Sequence, residues 1–103
     1  MGADIFYTFG SGKTAQEAFA AAREHEAWEH GHGGYTGSLA EKSDFTTIGT
    51  VVLSEADAYD LADRLIHDAD PRIDDKWGPA GCIEVASGVN GTRRFLFFGW
   101  ASS

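Results

Sequence analysis

Three stretches of this chain carry residue types that do chemistry. The first is "GSGKT", residues 10–14, set between a β-prone stretch and a helical one, which is the setting of a phosphate-binding loop. Such a loop needs G-x-x-x-x-G-K-[ST], because glycine amides must wrap the phosphates while Lys and Ser/Thr reach the terminal phosphate and magnesium. With Gly12, Lys13 and Thr14 in place, the first glycine should stand at position 7, which is Tyr7. No second hydrophobic strand ending in a magnesium-holding Asp is evident. Turn and cap chemistry uses every residue instead: Gly10 and Gly12 end a strand, Thr14 caps a helix, and Glu17 closes a capping box.

The second stretch, "EHEAWEHGHGG" at 24–34, holds three of the four histidines. A zinc-protease helix needs H-E-x-x-H so that two imidazoles one turn apart meet one ion, but the position after His25-Glu26 that should be His is Glu29, and His30 comes one residue late. His25, Glu26, Glu29, His30 and His32 therefore form a candidate metal set without a recognised spacing, as in a small metal-dependent hydrolase. The competing reading is a solvated helix end, where histidines complement the helix dipole and pair with glutamates a turn away. The third stretch, "GHGGYTGSLAEK" at 31–42, surrounds Tyr35 and Thr36 with glycines that let backbone approach a ligand. With Lys76, Trp77, Arg93 and Arg94 these two residues are a candidate pocket for a nucleotide or other anion. A helix-to-strand connection anchored by one Tyr explains the same residues. Cys82 has no catalytic companions and reads as buried, no G-x-S-x-G elbow is present, and no cofactor is implied.

Acidic residues give the other signal. Sixteen Asp and Glu oppose eight Lys and Arg, a formal charge of −8, which disfavours direct binding to nucleic acid phosphates. Asp57, Asp60, Asp63, Asp68, Asp70, Asp74 and Asp75 crowd one window with Glu55, against only Arg64 and Arg72. A length of 103 residues bounds the chain to one domain, and a 43% hydrophobic content indicates a folded one. One cysteine fits a reducing, cytoplasmic setting, and no apolar run is long enough to span a bilayer.

The elements that must position these groups read as follows. Residues 4–9 form a strand, a first helix runs from Thr14 to about His30, and 36–53 is a hairpin with strands near 36–40 and 45–53. Ser54 caps a second helix that ends before Pro71, 70–81 is a loop, and 82–100 is a second hairpin around Asn90-Gly91. The order βαββαββ implies an α+β domain, with two helices on one face of a mainly antiparallel sheet in a variant of the ferredoxin-like arrangement. In the second helix Ala58, Tyr59, Leu61, Ala62, Leu65, Ile66 and Ala69 share a core face, leaving Asp57, Asp60, Asp63 and Asp68 outside. The last strand is apolar on both faces, with Leu96, Phe98 and Trp100 on one and Phe95 and Phe97 on the other. It is either central and doubly covered or an interface for homo-oligomer formation.

The segment "GKTAQEAFAAAREHEAWEHGHGGYTGSLAEK" at 12–42 resembles a group of small proteins of phages and their bacterial hosts, which share a capped alanine-rich helix followed by a Gly-Tyr-Thr-Gly hairpin. The resemblance covers about a third of the chain, and "GYTGSLAEK" is its most specific part. It implies a setting rather than a reaction: a phage-type, non-enzymatic inhibitor of a bacterial defence system. Joined to the charge pattern, the expectation is that the acidic ridge binds a host effector protein as a nucleic acid would. A protein that sequesters a small nucleotide signal is the alternative.

Overall fold

A computed structural model of the chain describes residues 2–30, 37–87 and 91–102, with His30 described by its backbone alone. Its elements are β1 (Ala3–Gly12), α1 (Ala15–His30), a single 3-10 turn (Leu39–Glu41), β2 (Phe45–Thr47), α2 (Glu55–His67), β3 (Ala80–Val85) and β4 (Arg93–Ser102). The class is α+β. One four-stranded sheet has the order β1-β4-β3-β2; β4 is antiparallel to both neighbours and β2 runs parallel to β3. No described helix is long and apolar enough to cross a membrane.

Both helices start where their caps place them. Thr14 Oγ1 accepts the Glu17 N–H at 3.1 Å, and Ser54 Oγ accepts the Asp57 N–H at 3.2 Å, each satisfying an amide that has no partner within its helix. α2 ends at His67, and Ala69 follows in the left-handed region with φ 52°. Ala69 is therefore an exposed terminus residue rather than part of the core face.

The first hairpin does not form. Ser38 caps the 3-10 turn, its Oγ accepting the Ala40 N–H at 3.3 Å, and only Leu39 of that turn is buried. Gly49, with φ 72°, breaks the following strand after three paired residues, leaving Val51 and Val52 exposed. The described strands and α-helices thus run βαβαββ. The chain returns to the sheet through the parallel unit β2-α2-β3 instead of a hairpin, as parallel pairing requires a crossover. Gly91, with φ 80°, keeps its place in the turn before β4, while Asn90 lies outside the described residues.

The helices lie on opposite faces of the sheet, not on one. α1 packs Ala18, Phe19 and Ala22 on Phe6, Cys82, Phe95 and Phe97. α2 packs Ala58, Ala62 and Ile66 on Ile83, Val85, Leu96 and Phe98. The cause is β4, whose alternate residues on both faces are large and apolar. A central strand of this kind needs a covering layer on each side, and Phe95 through Phe98 are all at most 2% exposed. Burying each such side chain is worth about 1.5–3 kcal/mol, so leaving one face open would forfeit several of them.

The glycines of "GSGKT" now have a packing reason. A Cβ on Gly10 would stand 2.6 Å from the Ala18 carbonyl oxygen, and one on Gly12 would stand 2.8 Å from the Ala18 nitrogen. α1 crosses β1 at the distance that bare backbone allows. Gly10→Ala should lower stability by about 1–3 kcal/mol through overpacking, seen as a lower urea midpoint at unchanged slope; an unchanged midpoint would refute the close approach. Cys82 lies sealed under α1, fully buried, and burial pushes its thiol up to about 12. Thiol reagents should therefore leave it unlabelled in the native protein and label it fully in denaturant; native-state labelling would show that the layer opens.

Candidate functional site

The acidic face of α2 stands on a well-anchored helix. Asp57, Asp60 and Asp68 are exposed, and Asp60, Asp63, Arg64, His67 and Asp68 line an open surface cleft of about 440 Å³. The apolar side of α2 is buried over β3 and β4, which turns these carboxylates to solvent. Asp63 is drawn back toward the sheet, where it accepts a hydrogen bond from the Tyr7 hydroxyl at 3.2 Å. Burial, followed by the Asp63 charge and hydrogen bond, raises the Tyr7 phenol above its ordinary range.

The acids that follow α2 have different work. Asp70 takes both forks of the Arg72 guanidinium at 3.0 Å and the Arg72 N–H at 2.9 Å. The Arg72 hydrogen bonds hold its carboxyl below the ordinary range. Asp75 accepts the Trp77 N–H on its carboxylate at 2.9 Å and the Gly78 N–H on its carbonyl at 2.9 Å, closing a turn. Asp74 is exposed. The predicted ridge of seven acids is thus a helix face of Asp57, Asp60 and Asp68, with Asp63 shared with Tyr7. Asp70 and Asp75 serve as loop-building groups.

Among the described residues of the candidate anion pocket, Lys76 and Trp77 stand together but are not brought to Arg93 and Arg94. Lys76 lies at the start of β1, its Nζ 3.5 Å from the Gly2 carbonyl oxygen, whereas Arg93 pairs with Gly12 at the other end of that strand. Nine steps along a strand at roughly 3.4 Å each put about 30 Å between them. Arg93 and Arg94 also point to opposite faces of the sheet. Arg93 forks Glu84 at 2.8 and 2.9 Å and lies over Phe95, while Arg94 pairs with Glu55 of α2 and lies over Phe9. Hydrogen bonds from Arg93 hold the Glu84 carboxyl below the ordinary range. Tyr35 and Thr36 lie outside the described residues.

The histidine cluster also divides. His25 and Glu29 form an exposed i, i+4 pair at 3.9 Å on α1, while Glu26 turns to the sheet, with its Oε1 3.5 Å from the Thr8 hydroxyl. His32 and the His30 side chain lie outside the described residues, and among the described residues no three His, Cys, Asp or Glu groups gather to hold a metal. Trp28 projects from α1 at 81% exposure, beside Glu24 and His25 in a shallow hollow.

One residue that organises the surface has no signal in the sequence. Lys42, expected in a polar turn, is 1% exposed. Its Nζ donates to the carbonyl oxygens of Asp75, Lys76 and Gly78 at 3.2, 3.1 and 2.9 Å. Three donors meet three acceptors, so the ammonium ties the 75–78 turn to the body of the protein. That turn carries Trp77 at 60% exposure, with the Lys76 ammonium 5.4 Å from its ring centroid. The result is an aromatic platform on a fixed support. Three carbonyls converging on one ammonium are legible only once residues 42 and 75–78 have been folded together.

Comparison with protein-family models, curated proteins and solved structures finds no match to this chain. The fold and surface define a small α+β protein with an acidic helix face and an exposed tryptophan turn.

Burial lowers the Lys42 ammonium to about 8, with the Asp75 charge opposing, while an unfolded chain holds that proton to about 10.4. Across that window the unfolded state binds the extra proton, so this group's contribution makes stability rise with pH, and it is flat below 8. The Cys82 thiol acts in the opposite sense, because the unfolded thiol ionises near 8.5 and the buried one does not. The difference in urea stability between the wild type and Lys42→Met isolates the lysine: it should widen in favour of the wild type from pH 8 to 10. A difference independent of pH would refute the shifted ammonium.

Proposed function

We propose that this protein is a non-enzymatic binding protein whose α2 face occupies the basic, nucleic-acid-binding surface of a partner protein. The observation that carries the reading is the outward row of Asp57, Asp60 and Asp68 on a helix whose other side is locked into the core. Between Asp60 and Asp68 stands Asp63, exposed even while it accepts the Tyr7 hydroxyl, so Asp57, Asp60 and Asp63 follow at three-residue steps, about 4.5 Å of helix axis each. One strand of duplex DNA presents a phosphate about every 3.4 Å of axis. Such a row offers an Arg/Lys groove a comparable density of negative charge without the bases. The formal charge of −8 adds a field that steers a basic partner toward the chain.

The resemblance of residues 12–42 to small phage and bacterial proteins supplies the setting. The partner would be an effector of a bacterial defence system, and the protein its phage-type inhibitor in the host cytoplasm. Inhibition would follow from occupancy alone, since a carboxylate row competes with phosphates for the same guanidinium and ammonium groups. Nothing in this reading calls for a cofactor.

The experiment is capture of partners from a bacterial lysate on the tagged protein and, in parallel, on the triple variant Asp57→Asn, Asp60→Asn, Asp68→Asn. The expected result is a stoichiometric protein that duplex DNA displaces, bound at least about tenfold more weakly by the variant, a loss of ~1.4 kcal/mol or more. Circular dichroism of the variant should match the wild type, since these side chains are exposed. Equal capture by the variant, or a partner indifferent to DNA, would overturn the reading.

A further inference from the structure

The sheet has two edges of unlike construction. β2 is a three-residue edge, short in the manner of a protected one. β1 is a ten-residue edge, paired with β4 in a continuous register from Ala3↔Ser102 to Gly12↔Arg93. Among the described residues no strand pairs with its outer side. A strand of this length offers backbone N–H and C=O groups along about 30 Å, a template for another strand. Folded proteins blunt such edges with Lys, Pro or a bulge. β1, "ADIFYTFGSG", has no Lys or Pro, and its register carries no bulge.

We propose that the outer edge of β1 pairs antiparallel with β1 of a second copy about a two-fold axis at Tyr7, joining two four-stranded sheets into one of eight strands. A two-fold interface must be self-complementary, each residue meeting its counterpart's partner in return. With the axis at Tyr7, residues 3–11 pair. Ile5 lies opposite Phe9 of the second copy, and the only charge of the strand, Asp4, lies opposite Gly10. No like charges face each other on the joined strands, and cross-strand apolar pairs of this kind stabilise a sheet.

Two of the exposed apolar side chains lie beside this edge. Ile5 is 43% exposed on β1, and Tyr59 of α2 is 40% exposed while its ring meets those of Tyr7 and Phe9, tilted and edge-on, at centroid distances of 5.4 Å each. The chain carries −8 overall, yet nearly all of that charge is kept off β1. A basic strand would find one carboxylate along the edge, whereas a neutral strand alternating aromatic residues finds its own likeness. The acids of each copy, Asp63 beside Tyr7 near the axis among them, repel at low ionic strength, so added salt tightens this dimer.

The full chain is weighed by light scattering after size exclusion from about 1 to about 200 µM, and backbone hydrogen exchange is compared at the two extremes. The expected mass rises from 11.1 kDa to about 22 kDa, with amide protection gained within residues 3–12. Ile5→Lys, at an exposed position, places a charge on the edge and should raise the dissociation constant at least about tenfold. A wild-type mass of 11.1 kDa throughout overturns the proposal. So does protection gained outside 3–12, or a dimer that Ile5→Lys leaves unchanged. The hydrogen-exchange arm needs no variant, so it decides the question even where Ile5→Lys perturbs folding.

Discussion

The structure depends on the two-sided burial of β4. Phe95 and Phe97 project to one face and Leu96 and Phe98 to the other, and all four are shielded from water. A strand of that composition cannot lie at a sheet edge or over an open face without exposing several large side chains. It takes the interior of the sheet between β1 and β3, and α1 and α2 divide between the two faces. The parallel return through β2-α2-β3 follows, because α2 must cross to the face that α1 does not cover.

Once the faces are assigned, the polar surface is what remains. α2 turns Asp57, Asp60 and Asp68 outward because Ala58, Ala62 and Ile66 face the sheet. α1 settles closely on β1 because Gly10 and Gly12 remove the Cβ atoms that would hold it away. Glu26, at the end of the α1 core stripe, reaches the Thr8 hydroxyl rather than an apolar partner. The same doubly covered interior closes β4 as a surface for self-association. β1 is left as the long edge, with no strand paired to its outer side among the described residues.

Local chemistry in the chain is legible wherever a residue acts on its own neighbours. Thr14 and Ser54 start their helices by hydrogen bonds three residues on, and the Gly-Lys-Thr after β1 is a turn and a cap. Periodicity placed the core face of α2 correctly except at Ala69, which falls past the helix end, and at Tyr59, which stays 40% exposed at the margin of that face. The hairpin at 36–53 failed for a reason that alternation cannot encode. Gly49 takes a positive φ and ends the strand, and Ser38 caps a turn where a strand was expected. The expected groupings of Lys76 with Arg93 and Arg94, and of His25 with Glu26, also dissolve. Lys76 and the arginines lie at opposite ends of the sheet, the two arginines on opposite faces, and His25 and Glu26 on different sides of α1.

The sequence by itself determined the α+β class, the caps, the apolar stripe of α2 and the acidity of its other face, because each is a matter of spacing within one element. Tertiary structure alone decided which face each helix covers and which strand is interior. It also decided that Lys42 is buried, with Asp75, Lys76 and Gly78 supplying its acceptors. These depend on pairing segments more than thirty residues apart, where the free energy of covering both faces of β4 outweighs any local preference.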